Sequence, residues 1–238
     1  MRFLITAGNT REKIDQVRDW GNIFTGNTGF AIARALAELG EVDLLTSNRA
    51  HIAEAHQLLT AHPIRAIPFT THAQLRESLA LHLAEHEYHA VFMTAAVADY
   101  LPQRVYAVVE RSPDPSSPGE ELWRVRDVQA DKVKSTHEQI AVLGRQTEKL
   151  VDLFRGEWGF GGLLVKFKLE VGLSRERLIE VGQASRRASG AEYLVANTLE
   201  MLDGPSAGAY LLSDSGAAFV PRAELPQRLA RLIKELPR

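Results

Sequence analysis

Two short apolar segments near the amino terminus, Arg2–Ala7 and Glu41–Thr46, have the composition of buried β-strands. Residues 28–39, which lie between them, place apolar side chains at helical spacing, and Gly40 follows as a typical helix end. A strand, a helix and a second strand in this order predict a βαβ unit with parallel strands. This feature restricts the chain to the α/β class.

The same alternation continues along the chain. Helical patterns are found at residues 50–61, 71–87, 146–155, 174–189 and 224–236. Strand patterns are found at Ile64–Pro68, 90–94, 162–167 and 192–196. We therefore expect a Rossmann-like, mainly parallel sheet with helices on both faces. A chain of 238 residues can bury a substantial core, and we expect one domain spanning residues 1–238.

Two segments interrupt this rhythm with strand-like alternation. Residues 104–111 and 121–128 are joined by a stretch rich in Pro, Ser and Gly, which predicts a β-hairpin arm within residues 102–128. A second hairpin is predicted near the carboxyl terminus from residues 209–213 and 217–221.

The composition excludes several classes of function. A net charge of -2 gives no electrostatic reason to bind nucleic acid or an anionic membrane, and no apolar run approaches the roughly 20 residues that span a bilayer. Cysteine is absent, which excludes disulfides, thiolate metal ligands and a cysteine nucleophile. Without a signal-peptide pattern, we expect a cytoplasmic protein.

The loop before the first helix is rich in Gly, Asn and Thr, with the sequence GNIFTGNTGF at residues 21–30. Backbone N–H groups at a helix start suit a phosphate, although neither G-x-G-x-x-G nor G-x-x-x-x-G-K-[ST] is present. The alternative is that Thr25 or Asn27 caps the helix and Gly29 permits close packing. The long polar stretch at residues 8–28 favours a ligand site, because it follows the first strand of a parallel sheet.

Motifs in five places, in family order, resemble those of the phosphopantothenate–cysteine ligases of coenzyme A biosynthesis. The specific matches are ITAGNTREKIDQVR with its following GN, TG and GF, and AAVADY at residues 95–100. Weaker matches are KVK at 132–134, KFKLE at 166–170 and VAN at 195–197. The flavin-dependent decarboxylase to which these ligases are often fused has no counterpart here, so a stand-alone ligase without flavin is expected.

The resemblance implies a reaction and its partners. 4'-Phosphopantothenate is activated by CTP, or by ATP, to an acyl-nucleotide with loss of pyrophosphate, and cysteine then attacks to form the amide. Mg²⁺ is expected with the nucleotide. The relatives are dimers in which the arm after AAVADY contributes across the interface, so a homodimer is expected.

The resemblance also implies roles for particular residues. Asn22 and Lys132 are the predicted catalytic residues, because the Asn22 amide can donate to a developing oxyanion and the KVK segment suits closure over phosphates. The predicted substrate-binding residues are Arg18, Asn22, Ala95 and Ala96. The predicted nucleotide-binding residues are Gly8, Thr10, Thr25, Gly26, Ala95, Ala96, Asp99, Lys132, Lys134, Thr147, Lys149 and Phe167, with Asp99 also the predicted metal ligand.

The residues alone leave structural alternatives open. By pattern alone, a surface ion pair with Asp15 or Asp19 is favoured for Arg18 over a contact with substrate. Asp99 and the KVK lysines are compatible with solvated charges. The string HLAEH at residues 82–86 matches the H-x-x-E-H of zinc peptidases, but its polar surroundings favour a solvated helix face.

One departure from the family pattern affects the expected function. The helix before VAN normally offers two lysines to the nucleotide, and a gapless placement puts Ala184 and Ala188 there, with Arg186 and Arg187 as possible substitutes. A catalytically retired, nucleotide-binding relative is therefore one alternative. An NAD(P)-linked oxidoreductase is another, although it lacks the glycine fingerprint and an acidic residue after the second strand.

Overall fold

The computed structural model describes residues 1–235, which form thirteen strands and five α-helices. The strands are β1 Arg2–Ala7, β2 Arg11–Lys13, β3 Asp19–Gly21, β4 Glu41–Thr46, β5 Ile64–Pro68, β6 Ala90–Met93, β7 Tyr100–Pro113, β8 Glu121–Asp127, β9 Ile140–Gln146, β10 Leu163–Glu170, β11 Tyr193–Thr198, β12 Gly208–Ser213 and β13 Gly216–Pro221. The helices are α1 Asn27–Leu36, α2 Arg49–Ala55, α3 His72–Glu85, α4 Arg175–Ala188 and α5 Leu225–Glu235.

The central sheet has eight strands in the order β13-β12-β11-β10-β6-β1-β4-β5. The six strands from β11 to β5 pair in parallel, and the hairpin β12–β13 adds an antiparallel edge. Counted along the chain, the parallel strands have the order 3-2-1-4-5-6 of a Rossmann fold, which reverses between β1 and β6. The predicted fold class is confirmed.

The two faces of the sheet bury separate apolar clusters because successive strand side chains alternate in direction. In β1, Phe3 and Ile5 pack in the cluster that contains residues of α1 and α5, whereas Leu4 packs with residues of α3. A third, smaller cluster joins Leu178 of α4 to β11 and β12. Each large apolar side chain buried in these clusters contributes about 1.5–3 kcal/mol to the free energy of unfolding. The clusters on both faces therefore stabilise the sheet that carries the site.

The predicted hairpin of the arm is present as β7 and β8, and β9 adds a third strand. The arm is a three-stranded antiparallel sheet in the order β8-β7-β9, with bulges in β7. The prediction of a helix at residues 146–155 is wrong, because β9 ends at Gln146 and a 3₁₀ turn follows at Leu150–Leu153. Only Gln146 of the predicted helix belongs to β9, and the next residue, Thr147, donates its N–H to the carbonyl of Asp99 (2.9 Å) instead of entering a helix.

The structure differs from the sequence predictions at other places as well. The polar stretch at residues 8–28 is not a structureless loop, since β2 and β3 pair within it as a small hairpin. The predicted helix at 50–61 ends early, at Ala55. The last predicted helix begins at Leu225, and its expected end at Leu236 lies outside the described residues. Within residues 1–235, no helix combines the length and hydrophobicity needed to cross a membrane.

Candidate active site at the strand-order reversal

A cleft of about 240 Å³ lies at the carboxyl end of the parallel sheet, where the strand order reverses. Open α/β sheets bind their ligands at this point. Six of the predicted nucleotide-binding residues line the cleft, namely Gly8, Thr25, Gly26, Ala95, Ala96 and Phe167. They come from the chain after β1, the start of α1, the chain after β6, and β10.

Glycines let the start of α1 approach the ends of β1 and β6. Gly26 has φ +82°, and a Cβ there would lie 2.1 Å from the backbone nitrogen of Gly8. A Cβ on Gly29 would lie 2.2 Å from Thr94 Oγ1. Gly26 is itself the N-cap and no side chain caps the helix, so the alternative of a Thr25 or Asn27 cap is wrong. The amino end of α1 thus borders the cleft without a side-chain cap.

The AAVADY segment is fixed to the chain after β1 by backbone hydrogen bonds. The N–H of Ala96 donates to the carbonyl of Gly8 (2.9 Å), and the N–H of Thr10 donates to the carbonyl of Ala96 (3.1 Å). The hydroxyl of Thr10, which is fully buried, accepts from the N–H of Ala98 (2.8 Å). Thr10 therefore holds the segment in position and does not line the cleft.

Thr147 fixes the other side of the same segment. Its hydroxyl donates to the carbonyl of Ala98 (2.8 Å), and its N–H donates to the carbonyl of Asp99 (2.9 Å). The backbone of AAVADY is consequently held from both sides, which keeps Ala95 and Ala96 at the wall of the cleft.

Asn22 lines a second cleft that adjoins the first, since both include Phe24 and Thr25 in their walls. Its side-chain Nδ2 donates to the carbonyl of Ala96 (3.3 Å), and its own carbonyl accepts from the side chain of Asn9. The structure therefore brings the predicted catalytic asparagine into contact with the AAVADY segment.

The KVK segment is anchored by its central residue. Val133 is buried, its N–H donates to Asp15 Oδ2 (3.1 Å), and its carbonyl accepts from Arg18. Lys132 and Lys134 on either side of it are exposed and do not line either cleft.

Arg18 forms an ion pair with Asp15, one of the alternatives that the sequence left undecided. Its guanidinium contacts Asp15 at 2.6 and 3.0 Å. Burial acts to raise the pKa of Asp15, but hydrogen bonds from the N–H of Val17, from Arg18 and from the N–H of Val133 hold that pKa well below its ordinary value. The Arg18 side chain keeps 42% of its surface exposed, so the ion pair leaves part of the guanidinium accessible.

Asp99 and Lys149 are exposed and also lie outside the walls of the two clefts. No group of three or more His, Cys, Asp or Glu side chains within residues 1–235 is arranged to hold a metal ion. This applies to the HLAEH string as well, where His82 contacts the carbonyl of Ser78 (2.8 Å) and packs edge-on against His86. The zinc-peptidase alternative thus gains no support.

The sequence reasoning missed a polar network beneath the glycine loop. His51 is buried, stacks on Phe30 with 4.5 Å between ring centroids, and places Nε2 3.0 Å from Asn27 Oδ1. Asn48 donates to the carbonyl of Thr25 (3.0 Å). Burial lowers the pKa of His51, against a smaller opposing effect of the Glu54 charge. A neutral histidine of this kind carries no sequence motif, so only the structure reveals it.

Arg186 does not replace the lysines missing from α4. It is 3% exposed and its guanidinium contacts Gln183, Asp214 and the carbonyls of Ala191 and Glu192. These contacts join α4 to β11 and to the β12–β13 turn, so they are structural. Arg187 is exposed on the same helix.

A parallel sheet of Rossmann order with a glycine-bordered cleft at its reversal defines an α/β protein of the nucleotide-binding type. Residues 1–110 match the family model described as DFP, the DNA/pantothenate metabolism flavoprotein C-terminal domain. The resemblance inferred from the motifs is therefore confirmed for residues 1–110, which are similar to that domain.

Relatives and solved structures agree with this assignment. A coenzyme A biosynthesis bifunctional protein CoaBC from Thermococcus kodakarensis is 29% identical over 232 residues, which cover 96% of this chain and 49% of that protein. The chain thus spans about half the length of that relative. The crystal structure of a DNA/pantothenate metabolism flavoprotein from Streptococcus pneumoniae superimposes with a TM-score of 0.76 at 25% identity and 99% coverage of both chains.

A more distant solved structure supports the fold alone. A Cab2 mutant in complex with phosphopantothenate-cysteine has a TM-score of 0.64 at 16% identity, covering 98% of this chain and 86% of that one.

Proposed function

We propose that the chain joins 4'-phosphopantothenate to cysteine at the expense of a nucleoside triphosphate, with CTP as the favoured nucleotide and an acyl-nucleotide as the intermediate. The observation that carries this proposal is the contact between Asn22 and the carbonyl of Ala96, which unites the two family-specific motifs beside the cleft. The name of the Cab2 complex, which contains the product phosphopantothenate-cysteine, is consistent with it.

The first half-reaction needs a site for anions. The carboxylate of phosphopantothenate attacks the α-phosphorus of the nucleotide, and pyrophosphate leaves. The uncapped amino end of α1 offers N–H donors and the positive end of its dipole to such a group, and Gly8 and Gly26 let the ligand come close to the backbone. Ala95 and Ala96 leave room for it at the opposite wall.

The second half-reaction needs a donor for the acyl oxygen. The amine of cysteine attacks the acyl carbon, loses its proton, and expels the nucleoside monophosphate. We assign Asn22 to this step, because its neutral amide donates to the developing oxyanion at any pH in the physiological range. Lys132 and Lys134, which flank the anchored Val133, are assigned to the phosphates and Arg18 to the substrate's anionic groups.

Mg²⁺ accompanies the nucleotide in this proposal. Mg²⁺ is commonly held by one or two carboxylates together with substrate phosphates, so an isolated carboxylate is a suitable protein ligand. Asp99 is exposed just beyond Ala98 and is the carboxylate we assign. The cytoplasmic location remains a prediction.

The arm is proposed to form a homodimer interface. Its strands expose apolar side chains that water-facing strands usually avoid, among them Val109, Leu122, Trp123, Val125 and Leu143. Exposed β8 is also an edge strand with unpaired backbone groups, a feature that favours pairing with a second chain.

The test is a turnover assay with phosphopantothenate, cysteine and each of the four nucleoside triphosphates. Pyrophosphate release that requires both phosphopantothenate and a nucleotide, fastest with CTP, is the expected result. Binding without turnover instead identifies the nucleotide-binding relative without catalysis, for which the Ala184 and Ala188 positions argue. Binding of NAD(P) alone identifies the oxidoreductase.

A further inference from the structure

Asn27 is the first residue of α1 and lines the cleft at the strand-order reversal, where its side chain is exposed. A side-chain amide has an acceptor end, the oxygen Oδ1, and a donor end, the two N–H groups on Nδ2. The end that faces the cleft therefore determines whether this residue attracts or repels an anionic ligand.

His51 of α2 contacts the acceptor end of this amide. The imidazole lies 3.0 Å from Asn27 Oδ1 through its Nε2, and it lines neither cleft. It is 4% exposed and stacks on Phe30 of α1, with 4.5 Å between the ring centroids and 6° between the ring planes. The ring is thus fixed to the same helix that carries Asn27.

The surroundings of the ring indicate which nitrogen carries the proton. His51 Nδ1 is buried and has no hydrogen-bond partner within residues 1–235. A proton there would be a buried N–H without an acceptor, which folded proteins rarely contain, whereas a proton on Nε2 reaches Asn27 Oδ1. Asn48 Nδ2 also lies 3.2 Å from Nε2, but it donates to the carbonyl of Thr25 (3.0 Å). Nε2–H is therefore the donor to Asn27.

This hydrogen bond leaves Nδ2 as the end of the Asn27 amide that is available to a ligand. The side-chain hydrogen bonds within the described part of the chain do not use Asn27 Nδ2. Without the imidazole, either end of the amide could face the cleft, and an amide oxygen would repel an anion there. A buried donor on one side of the amide thus selects a donor on the other side.

We infer that Asn27 is a ligand-binding residue that donates from Nδ2 to a phosphoryl oxygen of the bound substrate, and that His51 is the positioning residue that orients its amide. The first-turn N–H groups of α1, which no side chain caps, donate to the same group. The carrier of the phosphoryl group rests on the proposed function, in which both the nucleotide and phosphopantothenate bear one.

The experiment measures dissociation constants for two pairs of ligands, CTP with cytidine and 4'-phosphopantothenate with pantothenate. Asn27→Ala is expected to bind one phosphorylated ligand about 10-fold more weakly, the size of one lost hydrogen bond to a charged group. The affinity for its unphosphorylated counterpart is expected to stay unchanged. The pair that shows this difference identifies the source of the phosphoryl group.

Variants of His51 test whether it acts through Asn27. His51→Leu, which has no donor, is expected to weaken the same ligand about 5-fold, because the amide must then be ordered on binding. His51→Gln retains an N–H donor and is expected within about 2-fold of the wild type. In the Asn27→Ala background, His51→Leu is expected to cause no further loss. His56→Leu, at the exposed end of the same helix, is the matched control and is expected to bind like the wild type.

Three results would overturn the inference. Unchanged affinity for both phosphorylated ligands in Asn27→Ala removes the contact. An equal loss for a phosphorylated ligand and its counterpart assigns Asn27 a structural role. A loss from His51→Leu that is as large in the Asn27→Ala background as in the wild type shows that His51 does not act through this amide.

Failure of the proposed function gives a different result. A wild-type protein that binds CTP or phosphopantothenate in an Asn27-dependent way but forms no amide refutes the ligase activity and leaves the phosphoryl contact standing. A wild-type protein that binds neither ligand refutes both.

Discussion

The side-chain amide of Asn22 lies 3.3 Å from the carbonyl oxygen of Ala96, across a separation of 74 residues in the chain. Ala96 is in turn bonded through its N–H to Gly8, at the end of β1. The asparagine is therefore oriented by the backbone of the cleft wall, and its position follows from the sheet topology that places β1 beside β6. A neutral donor fixed in this way is preorganised for an oxyanion.

Replacing Asn22 with alanine is expected to lower kcat for amide formation by about 100-fold to 1,000-fold, the range typical of losing one oxyanion donor. Nucleotide affinity is expected to stay within about 3-fold of the wild type, since Asn22 lines the adjoining cleft rather than the one bordered by α1. Rapid-quench kinetics of product formation together with CTP titration separate the two effects.

The matched control for this variant is Val17→Ala, an exposed position in the turn between β2 and β3 whose N–H, not its side chain, makes the contact with Asp15. Its turnover is expected to equal that of the wild type. Full turnover in Asn22→Ala would remove the assignment of this residue to the chemistry.

Alanine substitutions at Gly26 and Gly172 distinguish the cost of backbone strain from the cost of a steric clash. Both have positive φ, at +82° and +66°, but a Cβ at Gly26 meets the backbone of Gly8 whereas a Cβ at Gly172 meets nothing within 4 Å. Gly172→Ala is expected to lower the free energy of unfolding by about 1 kcal/mol through strain alone. Gly26→Ala adds a clash, and the combined loss is expected to reach about 2–5 kcal/mol.

Urea unfolding of both variants measures this difference, and CTP titration of the folded protein measures the effect on the cleft. Equal stability losses in the two variants would show that the start of α1 moves freely away from Gly8. In that case the close approach has no role in shaping the site.

Local pattern predicted the parallel sheet because its strands are short, apolar and separated by amphipathic helices, as Arg2–Ala7 and Glu41–Thr46 illustrate. Local pattern did not predict β9. Its residues Ile140–Gln146 become a strand by pairing with β7, and half of that strand faces water, so no buried alternation marks it in the sequence.

The sequence predicted those parts of the site whose motifs follow directly after a strand of the parallel sheet. Gly8, Gly26, Ala95 and Ala96 meet in one cleft because strand order brings their loops together. The contact between Lys166 Nζ and the carbonyl of Ser185 (3.3 Å) could not be predicted, because it forms only when α4 packs beside β10.

The arm offers a prediction about assembly. Trp123 and Val125 are 48% and 41% exposed and, being two residues apart in β8, lie on the same face of the arm. Replacing both with serine is expected to weaken dimerisation at least about 100-fold, because the interface loses two large apolar side chains worth about 1.5–3 kcal/mol each. Sedimentation equilibrium across a concentration series measures the change.

Arg124→Ser is the control for the arm, since Arg124 lies between these residues on the opposite face and forms an exposed ion pair with Glu110 at 3.0 Å. It is expected to dimerise like the wild type. A wild-type chain that sediments as a monomer at every concentration would refute the proposed interface.

His51 links stability to pH. Burial lowers the pKa of His51 in the folded protein, so the unfolded chain binds a proton more readily below the ordinary histidine pKa of about 6.5. The contribution of neutral His51 is therefore fully present above pH 6.5. It is lost as the pH falls from there toward the lowered folded pKa, by up to about 1.4 kcal/mol per pH unit.

Removing this titration tests the link. His51→Gln keeps a polar side chain near Asn27 but cannot be protonated, so its free energy of unfolding is expected to fall less than that of the wild type between pH 7 and pH 5. His62→Gln, at an exposed position, is expected to follow the wild-type curve. Urea unfolding at several pH values gives both curves. If the free energy of unfolding of His51→Gln falls with pH at the same rate as that of the wild type, protonation of the buried imidazole does not cause the loss of stability. The network under the glycine loop then stays intact at low pH.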